Sequence, residues 1–264
     1  MGKILAISNQ KGGVGKTTTA INVAAALAAN DLRILVIDSD PQGNATTGMG
    51  AAKDPDRPSL YQVLLGDAEV VDAIVHTAFE GLDLVPGDKN LVGANLELVD
   101  TQRREFRLHD KVNAIRAQYD FILIDCPPAL DLLTLNALIA ADSVLVPIQC
   151  EFFALEGISE LMDTIERIRN SFDHPLEIEG ILLTMFDDRT NLTRQVASDL
   201  RDFFGDQVFQ TVIPRSIRLA EAPSHGQSIL AYDVRSRGAE SYIRLAKEIL
   251  ENEQKRGQSA QGAR

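Results

Sequence analysis

The residue types with most chemical potential crowd into one octet, Lys11-Gly12-Gly13-Val14-Gly15-Lys16-Thr17-Thr18. The glycines let the backbone turn with positive φ and leave room for a bulky anion, so successive N–H groups can converge on it. Lys16 supplies a point charge for β- and γ-phosphate oxygens, and the Thr17 hydroxyl suits Mg²⁺. The ending G-K-T-T fits the phosphate-loop pattern G-x-x-x-x-G-K-[ST] with one departure. Gln10 stands where the pattern has its first glycine, and a second lysine, Lys11, heads the loop. Taken alone, Lys11 is an ordinary solvated charge. Asp38, Asp40 and Asp125 are the matching acids. Each lies at or just past the end of an apolar run, where open α/β sheets place their ligands. One such carboxylate could simply cap a turn. Together with a phosphate loop they suit a Mg²⁺ ion and an attacking water.

These groups need a scaffold, and the apolar runs describe one. Ile4–Ile7 reads as a buried strand before the octet, and the alanine-rich stretch 19–28 as a helix after it. Strand, glycine loop and helix in that order put the phosphate on the positive end of the helix. Further strands are expected at Arg33–Asp38, Leu82–Pro86, Phe121–Asp125, Ser143–Ile148, Ile178–Thr184 and Val208–Ile213. Helices are expected at 130–141, 154–172, 192–204 and 237–254, with shorter helical character at 60–76 and helical spacing across 91–118. Residues 51–59 read as exposed loop, and 255–264 as a polar, disordered tail after one domain spanning 1–254. Strands rich in β-branched residues alternate with helices. The fold class is therefore α/β: a mostly parallel twisted sheet with helices on both faces, a P-loop nucleotide-binding arrangement.

Composition narrows the function. The net charge of −12 argues against a uniformly basic nucleic-acid binder. The charge is uneven, however. Residues 1–186 carry 14 Lys/Arg against 27 Asp/Glu, while 187–264 carry 12 against 11. All 8 basic residues from 187 to 244 are arginine, so a local basic face is possible, although scattered ion pairs would give the same count. No signal peptide precedes the first strand, and no apolar run nears the ~20 residues that span a bilayer. Cys126 and Cys150 give no disulfide framework, so a cytoplasmic location is expected. His225, in the turn-like Ala222–Gly226, is expected to serve the turn rather than catalysis.

The octet with its extra lysine resembles the deviant phosphate loop of the ParA/MinD ATPases. Further stretches resemble the chromosomal ParA/Soj proteins: DSDPQGNAT (38–46), ILIDCPPAL (122–130), CEFFALEG (150–157), LLTMFDDRTNL (182–192) and the run from Ile213 to Tyr242. The resemblance implies that Lys11 reaches across a nucleotide-sandwich homodimer to the partner's ATP, with Gly12 at the dimer face. It gives Asp40 the role of polarising water and Asp125 a place in the outer shell of Mg²⁺. Asp38 is left either near Mg²⁺ or structural. Residues 11–18 would cradle the phosphates, and Met185, Phe186 and Pro214 would line the adenine. No N-K-x-D or T-K-x-D stretch reads guanine, so ATP is the expected nucleotide. Arg189 and Arg218 match arginines that contact DNA, and Arg194, Arg215, Arg235 and Arg237 could extend that patch. The expected partners are non-specific double-stranded DNA on the nucleoid and a ParB-like centromere-binding protein that stimulates slow hydrolysis.

Other functional classes share parts of this pattern. A MinD-type membrane-surface ATPase needs a C-terminal amphipathic helix with an apolar stripe. The final residues, E-N-E-Q-K-R-G-Q-S-A-Q-G-A-R, contain no large apolar side chain. A ParA-like positioner of another cargo shares all these motifs and stays open. The nitrogenase iron protein shares the loop type and holds a cluster with cysteines. Neither cysteine here lies in a glycine-rich cluster-binding stretch, and buried free cysteine is the expected state.

Overall fold

The computed structural model describes residues 2–51, 54, 56–151 and 154–262. Parts of the expected 51–59 loop, the Phe152–Phe153 pair within CEFFALEG and residues 263–264 lie outside the described residues. Strand β1 (Lys3–Ile7) leads through the glycine loop into α1 (Lys16–Ala28), and β2 (Ile34–Asp38) follows. Short helices α2 (Asn44–Gly48), α3 (Leu60–Leu65) and α4 (Val70–Ala73) lead to β3 (Val75–His76) and β4 (Leu82–Val85). Then come α5 (Leu91–Glu97), α6 (Arg107–Asn113), β5 (Phe121–Asp125), α7 (Leu132–Ala140), β6 (Ser143–Gln149), α8 (Ala154–Phe172) and β7 (Glu177–Thr184). The last part is helical: α9 (Asn191–Phe204), α10 (Ile217–Glu221), α11 (Ile229–Tyr232) and α12 (Arg237–Gly262). The seven strands form one sheet, β3-β4-β2-β5-β1-β6-β7, parallel except for β3.

Alternation along β1 shows how two layers arise. Ile4 and Ala6 join the core under α3 and α5–α9, whereas Leu5 and Ile7 join the core under α1 and α12. Both faces are covered, so the strands are apolar throughout. Helix α1 is buried from Thr19 to Ala28 because α12 lies over it, and its alanines let it be enclosed on every side. Asn22 ties the neighbouring segment down: its Oδ1 accepts the Ile229 N–H at 2.7 Å.

Three expectations need correction. The 91–118 region is not one helical run. A left-handed residue, Arg103 at φ 54°, separates α5 from α6. Val208–Ile213 is not a strand; only single bridges, Ile181–Val208 and Phe186–Pro214, continue the sheet past β7. Its apolar residues mark burial against β7, not a ladder. The polar tail also differs from expectation, since α12 continues to Gly262. Arg256 anchors it by donating to Glu179 Oε2 at 2.7 Å, and Lys3 and Ser143 meet the same carboxylate. Burial pushes the Glu179 carboxyl up, but Lys3 and Arg256 outweigh that and hold it below its ordinary range.

Candidate nucleotide site

The octet sits where β1 ends, above the centre of the sheet. Gly13 (φ 75°) and Gly15 (φ 90°) take left-handed backbone that other residues resist, and Gly15 caps α1. Gly12 does not need glycine for that reason: its φ is not positive, and a Cβ there would meet nothing within 4 Å. The loop is braced from two sides. Asn9 donates to Pro147 O at 2.8 Å and accepts from Lys11 N at 2.9 Å, and Thr184 Oγ1 donates to Val14 O at 2.8 Å. Lys16 is buried and its Nζ donates to Lys11 O at 3.1 Å, so the ammonium lies inside the loop. Burial lowers its pKa, while Asp125, Cys126 and Asp40 pull the other way.

The three acids converge on this loop. Asp38 and Asp125 are register partners at the ends of β2 and β5, and both are fully buried. Asp38 accepts 2.7 Å bonds from the N–H and the hydroxyl of Thr46, and another from Asp40 N at 3.2 Å. Burial nonetheless raises its carboxyl to about 6. Asp125 is in the harsher position. Neither oxygen has a protein hydrogen bond of good geometry. Burial first, then the neighbouring Asp38, push it well above its ordinary value, and the nearby Thr17 hydroxyl offsets only part. Asp40 lies on the loop beyond β2, nine-tenths buried, with Oδ1 accepting from Gln42 N at 3.0 Å.

A buried carboxylate left without partners is the kind of atom that a hydrated cation satisfies. Among the described residues no three His, Cys, Asp or Glu side chains are placed to hold a metal by themselves. That fits Mg²⁺, which keeps several waters and shares phosphate oxygens rather than filling a protein cage. Thr17 and Asp125 are the residues that would hold it. Asp38 is committed to Thr46 and shapes the loop after β2.

A cavity of about 540 Å³ opens beside the loop. Gly12, Gly13 and Gly15 to Thr18 line one wall, Asp40 another, and Met185 with Pro214 a third. Phe186 is not in the lining. It holds that third wall together, with its N–H bonding Ile213 O at 2.9 Å and its carbonyl accepting Arg215 N at 3.3 Å. Val14 is buried beneath the loop.

Three neighbours had no signal in the spacing of the motifs. Glu151 pairs with Lys11 Nζ at 2.5 Å. Tyr242 of α12 lines the cavity and lies 3.3 Å from Thr19 Oγ1. Asp187 chelates Arg189, whose Nε and Nη2 reach its two oxygens at 2.8 and 2.7 Å. Arg218 is held by Glu221 at 3.3 Å and by Asp233 at 3.8 Å. Arg194 bonds Asn191, and Arg215 lines the cavity rather than the outer face alone. Arg235 and Arg237 are exposed. His225 is exposed in a 3-10 turn and stacks on Tyr232 at 5.0 Å. Cys126 and Cys150 are free and buried, and burial raises the thiol of Cys150 to about 11.

Comparison with known proteins bears on this geometry. An AAA-domain family model matches residues 2–178. The chain is 54% identical over 256 residues to the chromosome partitioning protein ParA of Caulobacter vibrioides, covering 96% of each. It is 53% identical over 252 residues to the sporulation initiation inhibitor protein Soj of Bacillus subtilis, covering 96% of this chain and 100% of that one. Among solved structures, a cobyrinic acid a,c-diamide synthase from Mycobacterium smegmatis with bound ATP analogue and magnesium superimposes with a TM-score of 0.82 at 37% identity, over 95% of each chain. The cell division ATPase MinD of Pyrococcus furiosus does so with a TM-score of 0.77 at 28% identity, over 95% of this chain and 99% of that one. Among the described residues, no helix is long and apolar enough to cross a membrane.

Proposed function

This chain belongs to the ParA/Soj family of chromosome-partitioning ATPases, and on that premise we propose that ATP with Mg²⁺ in the cavity beside the glycine loop drives a DNA-binding cycle. The observation that carries the reading is the orphaned Asp125 carboxylate beside a loop able to receive phosphates. The chemistry asked of the protein is positioning and charge, since phosphoryl transfer to water needs no covalent intermediate. The N–H groups of residues 12–18 and the N-terminus of α1 hold the phosphates. Lys16 leaves the Lys11 carbonyl for a phosphate oxygen. Mg²⁺, when bound, would neutralise phosphate charge, and Thr17 and Asp125 are the residues that would hold it. Asp40, at the cavity edge, accepts a hydrogen bond from the attacking water and so orients it. Met185 and Pro214, braced through Phe186, enclose the adenine.

ATP-bound chains would pair as a sandwich with Lys11 crossing to the partner's phosphates. Glu151 must then release it, which the modest strength of exposed ion pairs permits. The pair would bind duplex DNA without sequence preference through Arg189 and Arg218, and a ParB-like protein would release it by stimulating hydrolysis. The test is a set of variants assayed for nucleotide binding, turnover and sedimentation. Lys16→Ala should lose ATP binding. Asp40→Ala should keep ATP, lose hydrolysis and accumulate as dimer. Arg189→Glu with Arg218→Glu should lose only DNA. A Lys16→Ala protein with wild-type ATP affinity would overturn the site.

A further inference from the structure

The arginines with which this chain would meet DNA are both already paired with a neighbouring carboxylate. Arg189 donates Nε and Nη2 to the two oxygens of Asp187, the planar fork that a phosphate would otherwise accept. Asp187 Oδ1 also accepts the Arg189 backbone N–H at 3.1 Å. These bonds hold Asp187 at a pKa of about 2, so it is anionic at any physiological pH. Arg218 shows the same design with weaker geometry: Glu221 at 3.3 Å, Asp233 at 3.8 Å, and the Tyr232 ring 5.9 Å beneath its guanidinium. Neither arginine lacks exposure; the side chain of Arg189 is 84% accessible. What Asp187 claims is the Nε–Nη2 edge of Arg189, two of its five N–H donors, and with it the partner charge a phosphate would supply.

We propose that Asp187 is an internal stand-in for DNA phosphate, which holds Arg189 until a duplex displaces it and so sets the threshold for DNA binding. The proposal rests on Arg189 being a DNA contact. Exchange of one anion for another is nearly isoenergetic, so a single chain meeting DNA gains little from Arg189. Two chains on one duplex make the exchange twice over a single association, and the small gains add. Salt dependence follows the same logic. An unpaired arginine that meets a phosphate releases condensed counterion, with a slope near −0.9 per contact. When Asp187 is uncovered beside the duplex, it recruits a cation and cancels most of that release.

The placement also links the device to the nucleotide. Asp187 follows Met185 and Phe186 directly, and the α10 segment with Arg218 follows Pro214 and Arg215. The Phe186–Pro214 bridge joins the two. The wall of the cavity and the bases of both arginine clamps lie on the same two hydrogen-bonded segments. The charge of Arg215 also favours the anionic form of Asp187, after the bonds from Arg189.

The test is Asp187→Asn in the full-length protein. Asparagine keeps the carbonyl that receives the Arg189 N–H, so the turn survives, but it loses the charge and the second acceptor. The probes are unrelated duplexes of equal length, with ATP, ADP or no nucleotide, over a range of salt. With ATP, DNA binding should tighten roughly threefold for each Arg189 freed, and roughly tenfold for two chains on one duplex. The salt slope should steepen by about one unit per freed contact, and binding should become measurable with ADP. Asp188→Asn makes the same charge change next door without touching the fork, and should do much less. If both variants tighten DNA equally, only net charge matters and the stand-in is overturned. Unchanged or weaker DNA binding by Asp187→Asn, where Arg189→Ala alone weakens it, also overturns the stand-in while leaving Arg189 a DNA contact. If Arg189→Ala binds DNA as well as wild type, the underlying assignment of Arg189 has failed instead.

Discussion

At the residue scale, the site is built from groups that oppose folding. Asp125 is fully buried with both oxygens unsatisfied, beside a second buried acid, Asp38. Replacing it with asparagine removes a buried ionisable group at nearly constant volume. Without nucleotide and with a chelator, Asp125→Asn should therefore unfold at higher urea than wild type, by about 1–3 kcal/mol. The sign of the pH effect follows from the raised pKa. The native protein holds that proton more tightly than the unfolded chain, so wild type has this stability below about pH 4 and loses it as pH rises. The advantage of the asparagine variant should accordingly be small at pH 4 and grow toward neutrality. A stability gap independent of pH would show that Asp125 is not the group responsible. The same variant should lose Mg²⁺-dependent turnover, an exchange of stability for function of the usual kind. The proposed roles of Lys16 and Asp125 rest on local patterns with a mechanism attached, and those patterns are visible in the sequence. The pairing of Glu151 is not, because its link to Lys11 spans 140 positions and exists only after folding.

At the element scale, glycine positions separate constraints inside the chain from constraints outside it. A side chain at Gly15 would be strained by φ 90°, whereas one at Gly12 meets open space. Gly12→Val should leave the unfolding free energy within about 0.5 kcal/mol of wild type and yet prevent ATP-dependent pairing in sedimentation. A variant that pairs normally would remove Gly12 from the proposed subunit contact. The end of α12 carries a different expectation. Arg256 is one of two cations on the buried Glu179, and it is itself partly exposed. Arg256→Ala should cost about 1–2 kcal/mol, less than losing a sole partner would, because Lys3 remains. Equilibrium denaturation measures it, and Arg256→Lys should recover part. The sequence suggested disorder here because 255–264 is polar. Its anchors are single long-range ion pairs, which no local pattern records. The strands were easier. A strand buried on both faces is a continuous apolar run, and Phe121–Asp125 was read to the residue. The same rule misread Val208–Ile213, whose N–H groups at Phe209 and Ile213 reach β7 only at intervals.

At the scale of the whole molecule, the nucleotide cavity is bounded by segments far apart in sequence: the glycine loop, the loop after β2, the end of β7 and the start of α12. A ligand touching all of them should stabilise the fold as a unit. Saturating Mg²⁺–ATP, at a hundred times its Kd, should add about 2.7 kcal/mol to unfolding. Lys16→Ala should show none of that increment by calorimetry, and an equal shift in the variant would place the nucleotide elsewhere. The overall architecture was legible because strand and helix periods alternate cleanly. The wiring of its basic third was not, since Arg189 and Arg218 look alike whether they face DNA or a neighbouring carboxylate. The sheet edges carry one more consequence. One edge is β3, two residues long and antiparallel; along the other, β7, the 208–214 segment donates the Phe209 and Ile213 N–H groups to Ile181 and Leu183 and leaves 179–184 buried. Neither border offers a long row of unpaired backbone to a passing strand, so crowding many copies onto one surface should not template fibrous aggregates.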